Sequence, residues 1–328
     1  MRRLRKSLAL LVVTAVAFGM MAPAAVAVKP LLPTEMGVRA YSYIEELSQI
    51  PRVSATAGEV EAAFVVKGWF EGLGYETEVQ SFSYVPWWGG SYESQNVIAY
   101  APGLRPAPKG PKAGPTPLVI VGAHYDKVPV GKGADDNASG VGVMLELAER
   151  IRQYRLPYDI VFIAFGAEEH GLHGAYHYVE SMSEYDFERT VAMLNFDSLI
   201  TGDKLYVHAG QETRITWVRD EMLKYAKRHK LPLETQPGLN EKYPAGFSPG
   251  FSDVEAFDQA GIPVAAFEAT NWEIDDMDGY TQTEEFGSFW HTDNDDLATI
   301  EELIPGRPMV RLEAFTKVAY EFLKHLKP

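Results

Sequence analysis

Apolar residues recur along this chain at two spacings, one helical and one extended. Positions 37–50 and 58–72 carry them at helical intervals, with Tyr41, Ile44 and Leu47 on one face and Val60, Phe64, Val65 and Phe70 on another. Gly72 and Gly74 close the second helix, after which 75–84 and 96–101 alternate as strands. The unbroken run Leu118-Val119-Ile120-Val121 reads as a buried strand, and Val141, Met144, Leu145, Leu147, Ala148 and Ile151 predict a helix over 138–153. The layout then repeats, with a strand at 159–165, a helix around 172–182 and a strand at 191–196. An edge strand at 204–208, an amphipathic helix at 213–230, a short helix at 254–260 and a strand at 262–268 follow. A closing helix at 309–326 is expected on the outside of the sheet. With no internal repeat, the pattern predicts an α/β fold in three layers, α/β/α, around a mostly parallel mixed central sheet, in one domain spanning 28–328.

Two stretches stand outside this alternation. Val85-Pro86-Trp87-Trp88-Gly89-Gly90 supports either a substrate-binding lip or a hairpin turn packed on the core, and the usual burial of Trp favours the second. Residues 102–117, with six prolines and three glycines, predict a stiff surface loop.

The first 27 residues join a basic start to an apolar run and the small-residue ending Ala25-Val26-Ala27, the pattern of a secretory signal peptide. An uncleaved membrane anchor is the alternative, because the apolar run up to Val28 nearly spans a bilayer. Cleavage after Ala27 would leave 301 residues and, by removing Arg2, Arg3, Arg5 and Lys6, shift the net charge from −15 to −19. The expectation is a secreted, extracellular or periplasmic protein, off the membrane after cleavage and monomeric. So acidic a chain is not a nucleic-acid binder, because phosphate contacts supply most of that affinity. The absence of cysteine excludes disulfides, thiolate nucleophiles and cysteine-bound zinc.

Ligands of open α/β sheets sit at the carboxyl ends of the strands. Here three successive strand ends carry acids: Asp126, Asp135 and Asp136, beside His124, after the first, Glu168 and Glu169 after the second, Asp197 after the third. Without a cation such acids repel one another. Two zinc ions bridged by a carboxylate and a water need about five nitrogen and oxygen donors with a free base nearby. His124, Asp136, Glu169, Asp197 and His291 supply the donors and leave Glu168 as base. Cobalt or manganese would suit the same ligands.

The motifs G-A-H-x-D, G-x-D-D-N-A-S-G, G-A-E-E-x-G-L-x-G, N-x-D and H-T-x-x-D occur in that order. This set resembles the co-catalytic dizinc aminopeptidases, a family that includes secreted bacterial leucine-type enzymes and, more distantly, glutamate carboxypeptidases and glutaminyl cyclases. Gly142 to Arg150, Gly202 to Tyr206, Pro237 to Asn240 and Glu268 to Trp272 are similar to the branch of the alkaline phosphatase isozyme conversion aminopeptidase, an exported enzyme that removes N-terminal arginine. The resemblance implies a zinc-exopeptidase fold and hydrolysis of the first peptide bond of peptides or proteins. It implies that His124 and Asp197 hold one metal, Glu169 and His291 the other, and that Asp136, followed by a cis peptide bond, bridges them. Glu168 would carry the proton from water to the leaving amine, while Asp126 and Asp295 would fix the His124 and His291 rings.

The chain departs from that family at two places. In Ser252-Asp253-Val254, where the family often presents Ser-Asp-His, Val254 replaces the histidine, and Trp290 replaces a tyrosine that donates to the oxyanion in some relatives; Tyr243 and Tyr280 are the substitutes to test. Glu168, Asp197 or Glu268 would hold the substrate ammonium. The acids Glu273, Asp275, Asp276 and Asp278 would either recognise a basic first side chain or form a solvated loop. Asp135 and Glu149 read as solvated or helix-terminal acids, and His170, His173, His177, His208 and His229 as surface or core histidines. A glutaminyl cyclase with one zinc, a carboxypeptidase and a noncatalytic binding module on the same scaffold are the competing functions. The carboxypeptidase lacks an arginine near a motif, and the module is disfavoured by a complete ligand set.

Overall fold

The computed structural model describes residues 34–101 and 114–328; the expected leader and most of the proline-rich stretch lie outside them. Helices α1 (Val38–Leu47) and α2 (Ala57–Gly72) precede the antiparallel strands β1 (Glu76–Tyr84) and β2 (Tyr92–Ala101). The alternating region comprises β3 (Leu118–His124), a π-helical turn (Ala134–Ser139), α3 (Gly140–Ile151), β4 (Asp159–Phe165), α4 (His173–Ser181), α5 (Glu184–Arg189) and β5 (Thr190–Phe196). It is followed by β6 (Lys204–Gly210), α6 (Trp217–His229), the two-residue β7 (Leu233–Glu234) and β8 (Phe247–Ser248), α7 (Val254–Gln259), β9 (Val264–Thr270), α8 (Leu297–Leu303) and α9 (Arg307–His325).

The strands lie in the order β1-β2-β4-β3-β5-β9-β6-β7, with β8 beside β6. β3 is parallel to β4 and β5, and β5 to β9, whereas β1/β2, β2/β4 and β6/β9 are antiparallel. Seven consecutive buried residues make β3 the central strand, which is why its sequence is apolar without alternation. The apolar faces of α1, α2, α3, α6 and α9 join one core, and those of α4 and α7 join a second on the opposite face. The three-layer expectation is met.

This topology positions a crevice. The chain leaves β3 for β4 on one side by way of α3, then crosses back past β3 to β5 by way of α4 on the other face. The carboxyl end of β3 is therefore a switch point, where side chains from both directions converge on open space.

Three expectations change. The strand at 204–208 is not the edge, because Leu233 and Glu234 of β7 pair outside it. The helix expected from 213 starts at Trp217, since Arg214 adopts a φ of 54°, incompatible with a helical turn. The turn Val85 to Gly90 is not packed on the core: Trp87 is 91% exposed and Trp88 44%. Among the described residues no helix is long and apolar enough to cross a membrane.

Candidate metal centre

The donors come from separate strand ends and the turns and loops beyond them. His124 is the last residue of β3, Asp136 lies in the π-helical turn, Glu168 and Glu169 follow β4, Asp197 follows β5, and His291 sits in the loop between β9 and α8. His124 Nε2 lies 3.2 Å from Asp136 Oδ1 and 3.3 Å from Asp197 Oδ1. His291 Nε2 lies 3.2 Å from Asp136 Oδ2 and 3.1 Å from Glu169 Oε2. The two oxygens of one carboxylate thus face two separate half-sites.

Those spacings fit a pair of dications. Ligands on one tetrahedral zinc, each at about 2.0–2.1 Å, are roughly 3.3 Å apart. Among the described residues, the trios His124/Asp136/Asp197, His124/Glu168/Glu169 and Asp136/Glu169/His291 each bring their donor atoms within 4.8 Å of one another. Imidazole nitrogen and carboxylate oxygen suit zinc, cobalt or manganese.

The surrounding bonds fix the donors. Asp126 accepts from Ser54 Oγ at 2.5 Å and from the N–H groups of Glu168 and Glu169, and its Oδ1 stands 3.5 Å from His124 Nδ1. Asp197 accepts from Ser252 Oγ at 2.6 Å, and Ser252 Oγ in turn accepts from Asn195 Nδ2 at 2.9 Å. Asp295 departs from the expectation that it fixes the His291 ring: its Oδ1 and Oδ2 accept from the Asp135 and Asp136 N–H groups at 2.6 and 3.1 Å, so it braces the backbone of the bridge. The Asp136–Asn137 peptide is cis, in line with the resemblance. Beneath the turn, fully buried Arg52 donates to the Lys132 and Gly133 carbonyls at 2.9 and 2.5 Å. Gly133 has φ +64°, and a Cβ there would meet the Asp136 carbonyl at 2.6 Å, so this position requires glycine.

Electrostatics reflect the crowding of acids. Burial pushes the Glu168 carboxyl well above its ordinary range, with Glu169 and Asp197 adding to the shift and His124 opposing it. Burial and the Asp136 charge raise Glu169 to about 7. Hydrogen bonds to Asp136 and Glu169 raise His291 to about 11 against the cost of burial. His124 is raised as well, the Glu168 and Asp197 charges outweighing its burial. A cation replaces these protons with a stronger counter-charge.

A cavity of about 390 Å³ opens from these donors toward β8 and β9. Phe251, Trp272, Tyr280 and Trp290 give it aromatic walls, Val254 an apolar one, and Glu268 and Asp278 bring carboxylates. His208 accepts from the Gln236 N–H on Nδ1, so its Nε2 carries the proton and donates to Glu268 Oε1 at 2.8 Å; Trp272 Nε1 donates to the same oxygen at 2.5 Å. Tyr243 does not line the cavity, because its ring packs behind the wall against Trp272 and Phe251. Of the acidic loop only Asp278 lines it, and Glu273 pairs with Lys204.

Other expectations fall differently. Asp135 is not solvated: it is fully buried and accepts from Ile200 N–H, Thr201 Oγ1 and Gln282 Nε2. Glu149 is 8% exposed and pairs with Arg39. His170, His173 and His177 join an aromatic cluster with Phe82 and Tyr84 on the β1–β2 hairpin. Asp253, for which sequence offered no role, is fully buried beside the centre, with burial raising its carboxyl.

Comparison with known proteins gives a consistent answer. Residues 105–306 match peptidase family M28. The alkaline phosphatase isozyme conversion protein of Escherichia coli (strain K12) is 33% identical over 308 residues, 84% of this chain and 86% of that protein. Aminopeptidase YwaD of Bacillus subtilis (strain 168) is 34% identical over 241 residues, 71% of this chain but 46% of the longer relative. Among solved structures, the zinc aminopeptidase BSAP from Bacillus subtilis superposes with a TM-score of 0.69 at 22% identity, covering 91% of this chain and 98% of that one. Porphyromonas gingivalis glutaminyl cyclase does so with 0.68 at 20% identity, covering 88% and 98%. At such identities the two structures show a shared fold.

Proposed function

The chain belongs to peptidase family M28 and is a metal-dependent hydrolase of aminopeptidase type, and from that premise we propose that it is exported and releases the first residue of peptides or proteins at a dizinc centre. The observation that carries this reading is the Asp136 carboxylate facing two His-carboxylate half-sites with Glu168 beside them. His124 and Asp197 would hold one ion, Glu169 and His291 the other, and Asp136 both. Bound there, zinc supplies Lewis acidity to the scissile carbonyl and lowers the pKa of water toward neutrality.

The rest falls to the chain's own groups. Glu168, buried beside the donors, would remove a proton from the attacking water and return it to the leaving amine nitrogen. The cavity receives the first side chain. Glu268, fixed by His208 and Trp272 through one oxygen, together with Asp278, favours a basic side chain among aromatic walls. Tyr280 and Trp290 line the same space, and Tyr280 is the hydroxyl available to the oxyanion.

Hydrolysis of arginyl and leucyl anilides with and without chelator tests the reading. The expected result is metal-dependent release with arginine preferred, about two metal ions per chain, and a Glu168→Gln variant slower by roughly 10²–10⁴. Activity that survives complete metal removal, or an unimpaired Glu168→Gln, overturns it. One ion per chain with cyclisation of N-terminal glutamine would favour the cyclase whose fold this chain shares.

A further inference from the structure

The β1–β2 hairpin reaches the same edge of the sheet as the metal centre. Because β2 is antiparallel to β4, with Val97 opposite Ala164, its beginning at Tyr92 extends beyond the carboxyl end of β4 at Phe165, level with the loop that carries Glu168 and Glu169. Tyr84, paired with Tyr92, stands at the same height. Contact is direct: Tyr84 Oη lies 2.6 Å from Nδ1 of His170, the residue after Glu169, and the Trp88 ring meets the His170 ring edge to face at 4.8 Å.

Sheet order places this surface opposite the cavity. The cavity draws Ser198, Phe267, Glu268 and Trp272 from the ends of β5 and β9, on one side of β3, while the hairpin lies beyond β4 on the other. A peptide whose first side chain occupies the cavity, and whose first bond crosses the donors at the ends of β3 and β4, must leave toward the hairpin. β1 is three strand spacings from β3, roughly 14 Å, which about four extended residues span.

What waits there is bare aromatic surface. Trp87 is 91% exposed and Trp88 44%, edge to face at 5.5 Å, beside Val85 at 65%. Large apolar side chains grouped at one loop tip mark a contact surface, and aromatic faces accept extended chain with apolar side chains at little entropic cost. We propose that Trp87 and Trp88 bind the portion of a polypeptide substrate beyond the cleaved bond, preferring a large apolar or aromatic residue about three or four positions downstream. The inference rests on the aminopeptidase reading and makes the protein selective for long substrates.

The test compares an aminoacyl anilide with a pentapeptide that has the same first residue, alanines elsewhere and phenylalanine in fourth place, using the metal-loaded full chain. The wild type should favour the pentapeptide in kcat/KM. Trp87→Ala/Trp88→Ala should reduce that advantage about tenfold, and Trp88→Phe should restore most of it. In parallel, a pentapeptide with a methyleneamine in place of its first amide should perturb tryptophan fluorescence in the wild type and bind the double variant about tenfold more weakly. An advantage unchanged in the variant, or equal losses on both substrates, overturns the proposal. No turnover of any anilide by the metal-loaded wild type overturns the aminopeptidase reading instead, and the fluorescence titration still decides whether the hairpin holds peptide.

Discussion

The two halves of the proposed metal centre are built differently. His124 and Asp197 stand at the ends of adjacent parallel strands, and their side chains are 1% and 18% exposed. Glu169 is also buried, but its partner His291 comes from an irregular loop, at φ +57°, with its side chain 44% exposed. A strand end inherits its position from a ladder of backbone bonds, whereas a loop histidine depends on local turns. Here the Thr292 hydroxyl donates to the Phe289 carbonyl at 2.6 Å and accepts from the Asn294 N–H. The first half-site is fixed by the fold and the second by its loop, so the second should be the easier to strip.

Asp136→Ala is the most severe test, because it removes the group common to both halves. Metal content should fall at both, and the loss in kcat/KM should at least equal the roughly 10²–10⁴ expected from losing the general base. Elemental analysis distinguishes the two, since Glu168→Gln should keep its metal. Retention of two ions by Asp136→Ala would show that the halves are independent.

Next in size is the pH dependence of the metal-free chain. Glu169 and Glu59 are held at about 7, Glu59 by burial and the Asp126 charge, so the folded state binds their protons more tightly than the unfolded state does. The stability they contribute is complete below about 4.5 and lost as pH rises to about 7, at most about 3 kcal/mol for each. His291, raised to about 11, acts in the same direction: its contribution is present below its ordinary value of 6.5 and is lost as pH rises through about 11. Calorimetry should therefore show Tm falling from pH 5 to pH 8 in chelator, with a much flatter profile when metal is bound. Parallel profiles would place the destabilising charge elsewhere.

The smallest effect is the one that most directly separates the halves. Asp295 ties the loop of His291 to the backbone of Asp135 and Asp136, and its carbonyl accepts from the Lys132 N–H at 2.7 Å. Asp295→Ala should weaken metal binding at the His291 half by roughly 10–100-fold, leaving about one tightly held ion per chain in a chelator titration. Equal weakening of both halves would contradict the comparison.

The same division explains what the sequence revealed. Strand-end candidates are legible because an apolar run followed by a metal-ligating side chain occurs three times, at His124, Glu169 and Asp197, and the motif order supplies Asp136 and His291. Long-range partners are not. Asp135 looks solvated beside Asp136, yet its acceptors are filled by Ile200, Thr201 and Gln282, more than sixty positions away. The placement of Asp295 depended on which loop crosses the bridge, and that of Tyr243 on which side of Trp272 the chain passes. The tryptophan pair escapes the sequence because average burial describes residue types, while a hairpin that overruns its sheet leaves its tip in solvent.

The donors begin at His124 and end at His291, on four separate connections of a sheet whose strands are not in chain order. No hairpin, helix pair or N-terminal portion that stops short of His291 contains both halves. A chain that ends before residue 291 therefore lacks a donor of the second half, and the donor set is complete only once the loop beyond the last strand, β9, has been made.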